Sequence, residues 1–187
     1  ALDKDGKFLA LRVDTKAAMG GYLCATSPHS PTNNLGGLSG VFTTPHILAE
    51  VRGVFTNTSP TATYRGAGRP EASYAVERLI DIAAHELEID PVELRRRNLI
   101  PNDALPYETG FVFTYDTGDF ETIMDKTVEA ADRAGFETRR QAATAEGKLR
   151  GFGLACVIEI AGGPLPVPNE ESAAINFQSD GSVTVAM

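Results

Sequence analysis

The fold of this chain is decided by the stretch Thr63-Tyr64-Arg65-Gly66-Ala67-Gly68-Arg69-Pro70-Glu71, which connects a strand-rich first third to the longest helical pattern. Gly66 and Gly68 leave a strip of backbone with almost no side-chain cover. Pro70 suits the first turn of a helix, where the N–H that proline lacks is not needed. The stretch therefore predicts a tight glycine turn that leads directly into a helix.

The same stretch has the chemistry of an anion site. The N–H groups of a glycine turn can approach an anion closely, and a helix N-terminus behind them adds about half a positive charge. Arg65 and Arg69 bracket the glycines, and guanidinium groups suit a phosphate, a carboxylate or an oxo-anion. A Gly-x-Gly turn is also common as plain turn chemistry, so the spacing alone leaves an anion-binding role open.

The residues before the loop predict strands. Residues 7–22 alternate in polarity, as expected of a strand with one buried face, and residues 3–7 have the composition of a hairpin turn. Residues 27–45 are rich in proline, glycine and asparagine, which predicts a long irregular connection. Residues 47–55 return to strand composition, with Gly53 as the expected position of a bulge.

Two helices are predicted directly after the loop. Apolar residues recur at helical spacing from position 70 to about position 87. Asp90, Pro91 and Glu93 then predict an N-cap, a first-turn proline and a capping glutamate for a second, short helix. The triple arginine at 95–97 predicts a solvated or salt-bridged face of that helix.

A connector with a short extended piece at residues 111–113 leads to two more predicted helices. Thr117 is the expected cap of the first, whose apolar stripe runs from position 120 to 131. Gly135 is expected as its left-handed C-terminal cap. The polar composition of residues 136–146 predicts an exposed helix.

Strands are predicted again towards the C-terminus. Residues 151–160 predict an apolar strand, residues 162–168 a proline-rich connection, and residues 172–186 a hairpin around Asp180-Gly181. The order of strands, helices and strands favours an α+β fold over a doubly wound parallel sheet.

We divide the chain into a β-rich part at 1–62, a part with the glycine loop and the helices at 63–148, and a β-hairpin part at 149–187. Both ends resemble interrupted hairpins, so the chain is expected to be an internal fragment of a larger subunit.

Composition argues against several classes of protein. The formal net charge of −8 argues against a nucleic-acid surface, because phosphate binding needs clustered Lys and Arg. No apolar run reaches the roughly 18 residues of a membrane span. Cys24 and Cys156 stand apart, which predicts reduced thiols and a cytoplasmic location. The three histidines lack metal-ligand spacing, so no metal ligand is predicted within the chain.

Four runs of the sequence carry a resemblance to a known family: Tyr64-Arg65-Gly66-Ala67-Gly68-Arg69-Pro70-Glu71, Glu77-Arg78-Leu79, Asp90-Pro91 and Leu94-Arg95-Arg96-Arg97-Asn98. They are similar to the molybdenum-binding large subunit of the xanthine dehydrogenase, aldehyde oxidase and carbon monoxide dehydrogenase family. The resemblance implies a loop that lies against the molybdenum–pterin cofactor, with Arg65 matching the arginine that contacts it. The cofactor-binding candidates are Arg65, Gly66, Ala67, Gly68 and Arg69, with Ala67 on the substrate side. The N–H groups of Gly66, Ala67 and Gly68 and the guanidinium of Arg65 are expected to face the cofactor.

The loop departs from two branches of that family. Gly66 stands where the copper-dependent carbon monoxide dehydrogenases carry a copper-bearing cysteine, and glycine has no side chain to ligate copper. Ala67 stands where xanthine dehydrogenases carry an aromatic ring that packs on the substrate. We therefore expect an aldehyde or an N-heterocycle as the substrate of the full enzyme.

The resemblance also implies the activity and the partners. Such enzymes insert oxygen from water into a C–H bond and pass two electrons to iron–sulfur and FAD partners. The expected cofactor is molybdenum-molybdopterin in its cytosine dinucleotide form. The family's catalytic glutamate, in a Gly-Glu context, and its Gly-Gly-x-Phe-Gly pterin loop are missing from this chain, so no catalytic residue is predicted here. The isolated chain is expected to be inactive and to hold no cofactor.

Two alternatives from other classes remain open on the residues alone. One is a non-enzymatic interaction module whose glycine loop merely turns the chain. The other is a small anion- or nucleotide-binding domain that uses the same loop without molybdenum.

Overall fold

A pair of parallel strands precedes the glycine loop in a computed structural model of the chain, which describes residues 1–159 and 172–187. Strand β1 (Leu11–Gly20) and strand β2 (Ile47–Phe55) are joined by helix α1 (His29–Gly37). Their register runs from Leu11 opposite Ile47 to Ala18 opposite Val54. Alternate residues of β1 are half-buried and exposed, which confirms the prediction of one buried face.

Helix α2 (Arg69–Glu86) and helix α3 (Pro91–Asn98) follow the loop and complete the centre of the fold. Four buried residues of α2 lie four positions apart and form one stripe: Ala72, Val76, Ile80 and Ala84. They join a core to which Leu38 and Phe42 contribute from the turn after α1, and Leu94 from α3.

Asp90 caps α3 as predicted. Its side chain accepts hydrogen bonds from the N–H groups of Val92 and Glu93, at 2.9 and 3.2 Å. The predicted capping glutamate is wrong, because the Glu93 carboxylate accepts from Nε of Arg97 at 2.9 Å instead of reaching back to the cap. An arginine one turn further along the helix offers this carboxylate a charge-assisted partner.

A buried ion pair ties α2 to α3. The side chain of Arg95 has no solvent exposure, and its Nε and Nη2 lie 2.8 and 2.7 Å from Oε2 of Glu77. Nη2 also contacts Asp81 at 2.9 Å, and Nη1 donates to the carbonyl of Pro91 at 3.0 Å. Burial raises the pKa of Glu77, and the charge of Arg95 opposes that shift. The triple arginine is therefore salt-bridged as predicted, but its first member is buried.

The predicted N-terminal hairpin turn is present and is fastened to α3 by Asn98. The amide of Asn98 donates to the carbonyl of Gly6 at 2.8 Å and accepts from the N–H of Phe8 at 2.8 Å. Gly6 has φ +80°, and a Cβ there would lie 2.7 Å from Cδ1 of Leu94. The turn therefore packs closely on the helix, and a larger residue at this left-handed position would be strained and would have to displace the Leu94 side chain.

The remaining elements lie on the outside of this centre. They are a 3-10 turn (Asn102–Ala104), the small hairpin of β3 (Tyr107–Glu108) and β4 (Thr114–Tyr115), helices α4 (Phe120–Ala130) and α5 (Phe136–Ala145), and the hairpin of β5 (Ala174–Phe177) and β6 (Val183–Ala186). The mixture of helices and strands confirms the α+β class, and the C-terminal hairpin is present as predicted.

Helix α1 corrects the prediction of an irregular connection over residues 27–45. Its glycines lower helix propensity, but they allow close packing: a Cβ at Gly36 would lie 1.9 Å from the Phe113 ring, and one at Gly37 3.0 Å from Cβ of Ala72. Packing thus outweighs the intrinsic preference of the sequence.

Two strand predictions are also wrong. The irregularity of the parallel pair lies between Ala18 and Gly20 on β1 and not at Gly53. The extended piece expected at residues 111–113 is part of a turn, which is closed by a hydrogen bond from the N–H of Thr109 to the carbonyl of Phe113. Strands β3 and β4 flank that turn.

Three expectations about helix ends and the last strand differ from the structure. Asp119, not Thr117, caps α4. The left-handed residue after α4 is Asp132, with φ 46°, whereas Gly135 has φ −83° and precedes α5. Residues 151–159 form no strand, although their burial alternates. Residue 160 and the connection predicted at 162–168 lie outside the described residues.

Tyr115 provides a test of the core. Its hydroxyl donates to the carbonyl of Gly40 at 2.7 Å, and burial raises its pKa to about 12. Because the folded pKa exceeds the ordinary value of 10.0, the stability that this group contributes is present below pH 10 and is lost as pH rises towards 12. We expect the free energy of unfolding to fall by roughly 2–3 kcal/mol over that range.

The measurement is urea unfolding between pH 9 and 12. Tyr115→Phe is expected to lose about 1 kcal/mol at pH 8 with the hydrogen bond and to show a shallower alkaline slope. The control is Tyr74→Phe, because Tyr74 is 73% exposed. Equal alkaline slopes in the wild type and Tyr115→Phe would contradict this account.

Candidate functional site

The segment that enters the glycine loop is fixed to the end of β1. The N–H of Gly21 donates to the carbonyl of Thr58, and the Ser27 hydroxyl donates to the carbonyl of Thr61 at 2.7 Å. Gly20 has φ +80°, and a Cβ there would lie 2.3 Å from Cα of Pro60. The chain therefore reaches the loop from a defined direction.

The loop consists of two overlapping turns. The N–H of Ala67 donates to the carbonyl of Tyr64 at 2.8 Å, and that of Arg69 donates to the carbonyl of Gly66 at 3.0 Å. Gly66, Ala67 and Gly68 have φ values of 96°, 49° and 96°. Positive φ at the third position of the first turn is typical of type II, and positive φ at both central positions of the second is typical of type I′. The predicted tight turn is thus present.

Helix α2 begins at Arg69, with Pro70 in its first turn, as predicted. Its N-cap residue is the left-handed Gly68, which has no side chain to cap the helix. The N–H groups of Gly66, Gly68 and Glu71 donate no hydrogen bond to any residue in the described ranges. Gly68 is itself buried, and unpaired polar groups are rare in buried backbone. The loop therefore carries donors suited to a ligand.

The prediction for Ala67 needs one correction. Its N–H was expected to face the cofactor together with those of the two glycines, but it is already donated to the carbonyl of Tyr64. What Ala67 can offer a ligand is its methyl group, which is consistent with the expected position on the substrate side.

The two arginines of the loop have different surroundings. Arg65 is exposed and forms no hydrogen bond or ion pair with the described residues. The side chain of Arg69 is only 16% exposed, and its Nε lies 2.9 Å from Oε1 of Glu159. Of the two guanidinium groups that the sequence suggested, Arg65 is therefore the one without a counter-ion in the part of the chain that the structure describes.

The sequence did not reveal Glu159 as part of this site. It lies 90 residues after Arg69, so no local spacing could have connected them. The available signal is a carboxylate at the end of an apolar run, because such groups usually need a partner. The same run brings Cys156 close to Glu77, and burial together with that carboxylate raises the pKa of the Cys156 thiol to about 11.

Other candidate sites contribute little. A cavity of about 250 Å³ lies between the N-terminal turn, β1 and α2, with a mainly apolar lining that includes no loop residue. Within residues 1–159 and 172–187, no group of three or more His, Cys, Asp or Glu side chains could hold a metal ion. No helix in those ranges is long and apolar enough to cross a membrane.

The geometry defines what the loop can do chemically. Unused N–H groups, a helix N-terminus and one exposed guanidinium can bind and orient an anionic group. From Tyr64 to Arg69 the loop has no carboxylate, imidazole or thiol that could act as an acid, a base or a nucleophile. Any reaction at this place must therefore depend on a bound group.

Comparison with known proteins agrees with this geometry. The chain is 34% identical to the carbon monoxide dehydrogenase large chain of Hydrogenophaga pseudoflava, over 100% of its own length and 25% of the relative. It is 30% identical to the 6-hydroxypseudooxynicotine dehydrogenase complex subunit gamma of Paenarthrobacter nicotinovorans, over 99% of this chain and 23% of the relative. The chain thus spans about a quarter of the length of these relatives.

A solved structure is also similar to this chain over almost its whole length. The quinoline 2-oxidoreductase of Pseudomonas putida 86 matches with a TM-score of 0.80 and 30% identity, over 99% of this chain and 25% of that one. Residues 1–99, more than half of the chain and inclusive of the whole glycine loop, match the sequence model of the molybdopterin cofactor-binding domain. The chain therefore belongs to the family of molybdopterin cofactor-binding domains.

Proposed function

We propose that the chain is the cofactor-contacting segment of the large subunit of a molybdenum hydroxylase. The observation that carries the proposal is the buried, left-handed Gly68, whose N–H has no acceptor among the described residues at the start of α2. An unpaired donor at a helix N-terminus suits an anionic group. In a molybdopterin-binding family, the pterin cofactor with its phosphate is such a group.

The loop residues fit this cofactor. The N–H groups of Gly66 and Gly68 and the guanidinium of Arg65 would hold its anionic part, and the methyl group of Ala67 would border the substrate. The absence of side chains at the two glycines allows close approach. When bound, the cofactor supplies the oxidation chemistry, while the protein supplies binding, orientation and electrostatics. We propose the cytosine dinucleotide form.

The proposed substrate is an aldehyde or an N-heterocycle. Gly66 provides no copper ligand, which argues against the copper-dependent oxidation of carbon monoxide even though a carbon monoxide dehydrogenase is among the relatives. Other similar proteins are a nicotine 6-hydroxylase large subunit and a quinoline 2-oxidoreductase. Their names favour a heterocycle, and the small Ala67 would leave room beside it.

The proposed partners are the remainder of the large subunit together with iron–sulfur and FAD subunits, in the cytoplasm. The relatives described as a large chain and as subunit gamma of a complex support an assembly of several chains. The electrons that leave the molybdenum centre need such acceptors.

The strained backbone of Ala67 supports the proposal that the loop binds a ligand. Ala67 holds φ 49°, a left-handed conformation that costs an L-residue roughly 1–2 kcal/mol. Strain of this kind is retained where the surrounding structure imposes it, commonly at ligand sites. Here the two turns and the start of α2 impose it.

This strain can be measured. We expect Ala67→Gly to raise the free energy of unfolding by about 0.5–1 kcal/mol, because glycine adopts left-handed φ freely. Gly66→Ala should lower it by about 1 kcal/mol or more, since φ is 96° and a Cβ would lie 2.8 Å from Cδ of Pro70. Gly153→Ala is the matched control, because nothing lies within 4 Å of its Cβ position. Urea unfolding gives all three values, and a destabilised Ala67→Gly would refute the strain.

The function is tested in the large subunit that contains this chain, produced with its partner subunits. Arg65→Ala is expected to lower the molybdenum content or the turnover of a quinoline-type heterocycle by about tenfold or more, since a charge-assisted hydrogen bond contributes roughly 1.5–3 kcal/mol. Arg78→Ala is the control, because Arg78 is an exposed arginine of α2. Metal analysis should show molybdenum without copper. Equal values for both variants, or copper stoichiometric with molybdenum, would contradict the proposal.

The 187-residue chain alone gives a separate test. We expect it to purify without molybdenum, to show no oxidation of aldehydes or purines in a dye-linked assay, and to self-associate through exposed strands. Elemental analysis, the assay and light scattering measure these properties. Molybdenum near one per chain, with turnover, would show that the chain contains a complete site.

A further inference from the structure

Arg69 is held away from solvent at the junction of the loop and α2. Its Nε lies 2.9 Å from Oε1 of Glu159, and its side chain is 16% exposed. Its backbone N–H closes the second turn through the carbonyl of Gly66. The side chain and the backbone of Arg69 therefore connect the loop to the segment that carries Glu159.

That segment, residues 151–159, is aligned with α2 at two points. Glu159 meets Arg69, and Cys156 lies close enough to Glu77 for that carboxylate to help raise the pKa of the Cys156 thiol. The eight residues from Arg69 to Glu77 span ~12 Å of helix, and the three from Cys156 to Glu159 span ~10 Å of extended chain. Because the later residue of the segment meets the earlier residue of the helix, the segment runs antiparallel to the first half of α2, and the similar lengths fit this register.

Packing holds the segment in this register. Alternate side chains pack against the core, namely those of Phe152, Leu154, Cys156 and Ile158. Phe152 also lies 5.7 Å from the Phe136 ring, and the Arg133 guanidinium lies 4.9 Å from its centroid. Glu159 is thus presented to Arg69 by a packed segment, although its own side chain is 56% exposed.

The charge of Glu159 distinguishes two possible roles of Arg69. Glu159 compensates the charge of Arg69 beside the positive end of α2. If Arg69 bound the anionic ligand directly, removal of the Glu159 charge would release the guanidinium and strengthen binding. If the pair positions the loop, the same change would loosen the two turns and weaken binding.

We propose that Arg69 and Glu159 form a positioning pair, which sets the backbone of Gly66, Ala67 and Gly68 for the cofactor without contact to it. The pairing itself is independent of the proposed function, whereas its consequence for the cofactor rests on that function. Arg69 is then a positioning residue, and not the anion ligand that the sequence suggested.

The first measurement uses the 187-residue chain without cofactor. Amide hydrogen exchange is followed by NMR for Ala67 and Arg69, whose N–H groups close the two turns. Glu159→Gln and Arg69→Gln are each expected to accelerate this exchange by about threefold to tenfold, and Arg69→Lys by less, because it keeps the charge. The Ile80 amide in the middle of α2 should not change, which controls for general unfolding. Unchanged exchange at Ala67 and Arg69 in Glu159→Gln would overturn the proposal.

The second measurement uses the assembled holoenzyme. Glu159→Gln and Arg69→Gln are each expected to lower the molybdenum content or kcat. The double variant should have a molybdenum content and a kcat no lower than those of the more impaired single variant. Higher cofactor occupancy in Glu159→Gln would overturn the positioning role, because it would identify Arg69 as a ligand. Accelerated loop exchange in Glu159→Gln, with no effect of Arg65→Ala on molybdenum, would support the pair and count against the proposed function.

Discussion

The ion pair between Arg95 and Glu77 is the constraint on which the rest of the structure depends. The Arg95 side chain is fully buried, and its donors reach two carboxylates on α2 and a carbonyl at the start of α3. A buried charge that loses its partner destabilises a fold by roughly 3–5 kcal/mol. The two helices therefore hold one relative position, and the N-terminus of α2 presents the glycine loop from it.

The loop is fixed from both sides. Its entry is fastened to Gly20 and Gly21 at the end of β1 and to Ser27 before α1, and its exit is continuous with α2. Three successive left-handed residues, one of them alanine, need such support, because an unsupported chain would relax to ordinary turns. This arrangement is typical of a binding loop on a rigid scaffold. The strain at Ala67 and the Gly68 N–H, which has no acceptor among residues 1–159 and 172–187, thus arise from the same loop conformation.

The sequence predicted those elements whose signals are local. The bounds of β2, the start of α2 after the glycines and the Asp90 cap are all encoded within a few residues. It did not predict α1, because that helix depends on Phe113 and Ala72 packing against glycines of low helix propensity. It also could not distinguish Arg65 from Arg69, since the counter-ion of Arg69 lies on a distant segment. Long-range packing and long-range charge account for both failures.

The binding energy that this loop can supply is smaller than the energy that a complete binding site needs. Two backbone donors and one guanidinium contribute roughly 1–3 kcal/mol each, whereas immobilising a ligand costs about 4–15 kcal/mol. The loop's donors can therefore orient an anionic ligand, but their energy is too small to retain it unaided. The apolar side chains of the C-terminal hairpin, Ile175, Phe177, Val183 and Val185, lie on one face and are all at least half exposed. A sheet face of this kind is normally packed against other structure. Both the small energy available from the loop and the exposed face of the hairpin are consistent with a segment of a larger subunit.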